Sequence, residues 1–128
     1  MKIDALLIEM ANSAIREAGI VNDHDLYDKV FKGYISSFGA SIAQAGLIPT
    51  IIFFEAKSEQ AKERPKVVQA LKQMLDEEYH VDSLAEYLLR KRKDGEESFK
   101  KEEKKLLKNI TEAMVAIKLA LRMYKENK

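Results

Sequence analysis

From Ile3 to Tyr124, apolar residues return every three or four positions almost without a break. A chain with that period buries one face of successive helices, whereas a strand would bury every second residue. Five glycines and two prolines in 128 residues leave little room for the turns of an all-β fold. This length suits one domain and lets it bury most of the apolar surface that the unfolded chain exposes. The expected fold is all-α: a single compact bundle of about five to six helices over residues 1–128, ending in a long basic amphipathic helix.

The boundaries follow from punctuation residues. A first helix is expected over 3–18, with Ile3, Leu6, Leu7, Met10, Ala14, Ile15 and Ala18 inward and Gly19 as its stop. Asn22 or Asp23 is placed to cap a second helix that runs to about Ala45, with Leu26, Tyr27, Val30, Phe31, Tyr34, Ile35, Phe38 and Ile42 buried. Gly39-Ala40 offers a place for another backbone to approach, and Gly46 closes the helix. A third helix is read from Ile48 to about Lys62, with Pro49 in its first turn. Its run Ile51-Ile52-Phe53-Phe54 is apolar on every side and needs burial all round, within the domain or against a partner. Arg64-Pro65 breaks the chain before a fourth helix carrying Val67, Val68, Leu71, Met74 and Leu75. Asp82 or Ser83 caps a short helix with Leu84, Tyr87 and Leu88, and Asp94-Gly95 turns into a last helix from about Glu97 to Tyr124.

Charge is divided unevenly. The net of +1 conceals −5 over residues 1–89 and +6 over residues 90–128. An acidic body with a basic end suits head-to-tail assembly or an anionic partner, although a solvated lysine-rich helix has the same composition. Projecting the last helix at 100° per residue collects Phe99, Leu106, Ile110, Ala113, Met114, Ile117, Leu121 and Tyr124 on one side. Lys101, Lys104, Lys105, Lys108, Lys118 and Arg122 fall on the remainder, with Val115 and Leu119 among them as a hint of a further contact.

Little in the chain suggests catalysis. There is no cysteine, so disulfide and thiolate chemistry are excluded and a cytoplasmic setting is expected. Asp4 and Glu9 interrupt the apolar N-terminus, which argues against an export signal, and the longest apolar stretch, Leu47–Phe54, is too short to cross a bilayer. Glu77, Glu78, His80 and Asp82 are possible metal ligands without a recognised spacing, and Asp23-His24-Asp25 reads as a turn. The glycines do not form a phosphate-binding loop, and no serine has a readable basic partner. No catalytic residue, metal, cofactor, small-molecule substrate or membrane contact is expected. The cluster Arg90-Lys91-Arg92-Lys93 and the lysines after it would attract phosphates. Aromatics for base stacking are scarce beside them, so any contact is with backbone and blind to sequence.

The segment from Tyr34 to Lys57 resembles the small helical subunit of the type III-B CRISPR effector, the Cmr complex. In that pattern a tyrosine precedes a helix that closes at Gly-Leu, followed by a small or polar residue, an aliphatic residue, Phe and then Lys. Gly46, Leu47, Thr50, Ile51, Phe53 and Lys57 take those places, and Thr111-Glu112-Ala113 with Arg122 and Tyr124 forms a weaker second match. Ala45 stands where the family usually has Asn, Gly39 where it often has Pro, and the family's tryptophan in the last helix is missing. The resemblance implies a non-catalytic subunit of an RNA-guided antiviral complex. It would stack head to tail with copies of itself along the backbone subunits and help to hold the target RNA strand. It also implies RNA contact by Lys57 and Arg122; Lys101, Lys104, Lys108 and Lys118 join them from the helical projection alone. The competing reading is a helical adaptor or regulator that docks one protein partner without nucleic acid.

Overall fold

A computed structural model describes residues 3–128. Among them are six α-helices and a minimal two-stranded sheet: α1 (Ala5–Glu17), β1 (Leu26–Asp28), α2 (Lys29–Ala45), α3 (Leu47–Glu55), α4 (Pro65–Met74), α5 (Leu84–Lys91), α6 (Glu96–Leu121) and β2 (Lys125–Asn127). Short 3₁₀ turns precede and follow α5, at Glu77–Tyr79 and Arg92–Asp94. The all-α expectation holds, and the helices share one apolar core.

The spine is α6. Its inner face places Leu106, Ile110, Ala113, Met114, Ala116, Ile117, Ala120 and Leu121 in the core. Helix α1 lies along it. The buried faces of both contain alanines, Ala11 and Ala14 on α1 and Ala113, Ala116 and Ala120 on α6. Leu6 and Met10, expected inward on α1, are 64% and 39% exposed. The helix instead buries Ala11, Ala14 and Ile15.

Helices α2 and α3 form a hairpin about Gly46, locked by aromatic edge contacts: Phe38 to Phe54 at 4.9 Å and Tyr34 to Phe54 at 6.4 Å between ring centroids. Thr50, buried at the base of this hairpin, donates its hydroxyl hydrogen to the Gly46 carbonyl at 2.8 Å. That leaves Ser41 to donate to Thr50 Oγ1 across 2.7 Å. Helix α5 is joined to α3 by Glu55, whose carboxylate accepts from Ser83 Oγ at 2.9 Å and Leu84 N at 2.7 Å. Ser83, rather than Asp82, is the N-cap, accepting from Glu86 N.

Several expected boundaries move. The second helix does not begin at Leu26: residues 26–28 are a strand paired in parallel with 125–127. Its cap is therefore Asp28, which accepts from Val30 N at 2.9 Å, while Asn22 Oδ1 instead closes a turn by accepting from His24 N and Leu26 N. The last helix stops at Leu121 rather than Tyr124. Tyr124 is held back on α1 by hydrogen bonds with Asn12 and Arg16, and the chain then enters β2. The third helix ends at Glu55, well short of Lys62. Beyond Glu55 the exposed Lys57, Glu59, Gln60 and Lys62 leave no apolar face to bury, and short helices need one. No backbone approaches Gly39: a Cβ built there meets nothing within 4 Å.

Candidate nucleic-acid interface

Lys101, Lys104, Lys108 and Lys118 of α6, with Arg122 at its C-cap, lie on one outward sector about 100° wide, because 3.6 residues complete each turn. At 1.5 Å per residue the stripe is about 32 Å long. All five side chains are exposed, and none forms an ion pair among the described residues. Lys105, next to the stripe, is instead committed to Glu78 at 3.3 Å. Val115 and Leu119 interrupt the stripe as half-buried apolar residues.

This interruption divides the cations into two groups. Lys101 and Lys104, with Lys100, Glu97 and Ser98, line a shallow depression of about 570 Å³ near the start of α6. Lys118 and Arg122 line a smaller cleft of about 220 Å³ between the end of α6 and the first turns of α2. Its other walls are Tyr27, Lys32, Ile35, Ser36 and Leu121. Lys57 belongs to neither group. It lies just past α3 in a depression with Ser58, Lys62, Pro65 and Lys66. The six expected contact residues are thus distributed over three places, five of them on one helix face.

Lys32 and Ser36 escaped the reading of the sequence. They stand one helical turn apart on the polar side of α2, and nothing local distinguishes them from other solvated residues. Only the packing of α2 beside α6 brings them to Lys118 and Arg122.

The basic cluster 90–93 is less open than its composition suggests. Arg90 reaches Glu86 at 4.0 Å, Lys91 sits over the Tyr87 ring at 5.1 Å and Arg92 over the Phe99 ring at 5.7 Å. Asp82, Glu86 and Asp94 share the adjoining cleft, which mixes its sign. Phe99 and Tyr124, expected to be buried, are both half-buried.

On α3 the apolar run separates: Ile51 and Phe54 enter the core, whereas Ile52 and Phe53 are 49% and 54% exposed. Arg64 covers Phe53 with its guanidinium 4.0 Å from the ring centroid, a cation–π contact. Its Nε is buried with no hydrogen-bond partner.

Two acidic side chains near α5, Glu78 and Glu102, are engaged in structure. Tyr79, fully buried, donates to Glu102 at 2.5 Å, and Tyr87 donates to Glu78 at 3.0 Å. The hydrogen bond from Tyr87 and the nearby Lys105 hold the Glu78 carboxyl below its ordinary range. Burial and the adjacent Glu78 push the Tyr87 phenol up to about 12. His80 Nε2 lies 3.0 Å from the Leu75 carbonyl. Among the described residues no three His, Asp or Glu side chains gather as a metal site, and no helix is long and apolar enough to cross a membrane.

Among curated proteins and among solved structures nothing matches the chain. One family does: the sequence matches the profile described as CRISPR-associated protein (Cas_Cmr5) over residues 8–124, which takes in the α2–α3 hairpin and the whole of α6. The helical fold, the Gly46-Leu47 hairpin and this match agree, and the chain belongs to the CRISPR-associated Cas_Cmr5 family.

Proposed function

We propose that this chain is a non-catalytic subunit of an RNA-guided type III-B interference complex, serves antiviral defence, and acts in the cytoplasm. It stacks head to tail with copies of itself along the backbone subunits and helps to hold the target RNA strand. The family match over residues 8–124 is the observation that carries this reading. The exposed cations of α6 support the RNA part: they form a long stripe suited to a phosphate backbone, without exposed aromatics to read bases.

Charge polarity supports the stacking part. The division of charge along the chain, net −5 over residues 1–89 and +6 over residues 90–128, is of the kind that complements itself in a heterologous contact. Such contacts are weak singly and gain strength when a scaffold raises the local concentration.

The second reading, a helical adaptor that docks one protein without nucleic acid, is favoured by the exposed Ile52 and by the exposed Phe53, which Arg64 partly covers. Co-purification from native cells separates the two. With the chain tagged, recovery of a large assembly containing short guide RNAs is expected; a single protein partner without RNA would overturn the interference reading and leave the adaptor.

A further inference from the structure

We infer that the cleft between α2 and α6 is a seat for one phosphate group, built by Lys32 and Ser36 of α2 together with Lys118 and Arg122 of α6. This deepens the target-strand reading and rests on it for the source of the phosphate.

Three cations and no carboxylate line the cleft. Asp28, the nearest acid in sequence to its α2 wall, is committed to capping that helix through Val30 N. The floor is apolar: Tyr27, Ile35 and Leu121 are each less than a tenth exposed. Charges above such a floor are screened less than on open surface, so an anion there gains more from each cation. At about 220 Å³ the cleft is below the roughly 300–1,000 Å³ of sites that enclose a whole small molecule. It suits a charged group that remains attached to something larger.

The C-terminal end of α6 opposes this ligand, since a helix terminus there carries about half a negative charge. Three full positive charges outweigh it. Arg122 brings a planar fork that matches two phosphate oxygens, Lys32 and Lys118 contribute point charges, and the Ser36 hydroxyl is a neutral donor. None of these groups reads a base, so the seat fixes the path of a strand without selecting its sequence.

The experiment is an amide NMR titration of the full chain with a short oligouridylate and, separately, with inorganic pyrophosphate. Both ligands are expected to move the amides of Lys32, Ser36, Lys118 and Arg122. The double variant Lys32→Gln/Lys118→Gln should retain the remaining spectrum, lose those shifts, and lower the salt slope of RNA binding by about 0.7, the share of the one phosphate seated there. Shifts at the cleft with pyrophosphate alone would support a seat for a free phosphoanion and detach it from the target strand. RNA shifts confined to Lys101, Lys104 and Lys108 would overturn the seat and leave the target-strand function standing. A silent cleft with both ligands, or shifts that survive in the double variant, would also overturn it.

Discussion

Thr50 shows how much one side chain settles. It is the one buried polar residue among those described, and its hydroxyl serves the Gly46 carbonyl and Ser41 at once. Thr50→Val preserves the shape, leaves Ser41 without its partner and leaves the Gly46 carbonyl only the longer bond from the residue 50 amide at 3.3 Å, so a loss of about 1–2 kcal/mol is expected in urea unfolding. An unchanged midpoint would mean that water replaces the hydroxyl. The Tyr87–Glu78 pair has its effect at low pH. A carboxyl whose pKa is lower in the folded state binds fewer protons there than when unfolded. Its contribution is complete above the ordinary carboxylate range and is lost as pH falls through the depressed value. Tyr87→Phe should therefore flatten the acid limb of stability against pH, read from urea midpoints between about pH 6 and pH 3. Identical limbs in the two proteins would dismiss the hydrogen bond as the cause. The effect is small, because the Glu78 side chain is 43% exposed and solvent screens it.

At the scale of elements, the α2–α3 hairpin depends on Gly46. Its φ of 96° and ψ of 171° lie in a region open almost only to glycine. A Cβ there would meet nothing closer than Pro49 Cδ at 3.9 Å, so the obstacle is backbone conformation and not space. Gly46→Ala is expected to destabilise the protein by about 1–3 kcal/mol, measurable by thermal or urea unfolding. A neutral result would show that the hairpin can be closed by another turn. The sequence signalled this turn well, since Gly46 ends one apolar period and Pro49 begins the next. It signalled the start of α2 poorly. Leu26 and Tyr27 fit the helical period, yet they become strand because residues 125–127, from the far end of the chain, offer them hydrogen bonds. Local propensity contains no information about that partner.

For the whole molecule, the test of the RNA-holding role is charge reversal where the family resemblance and the fold both leave cations exposed. Lys57→Glu with Arg122→Glu is expected to weaken target-strand binding by an assembled complex and to reduce its salt slope, with the helical fold intact. Wild-type affinity in that variant would refute the residue assignment. Because Lys57 lies outside the α6 stripe, the single variants also distinguish the two surfaces. Loss with Arg122→Glu alone would confine the strand to the stripe.

Periodicity, punctuation and one segment from Tyr34 to Lys57 were sufficient to specify the helical class, most helix limits and the family. Those properties depend on neighbours a few residues apart, and a helix registers them along its own length. Which side of α1 faces inward, that Ile52 and Phe53 remain at the surface, and that Lys32 stands beside Lys118 and Arg122 were decided only by tertiary packing. Each results from contacts between residues far apart in the chain, where packing between helices and the pairing of distant backbones outweigh what any local pattern records.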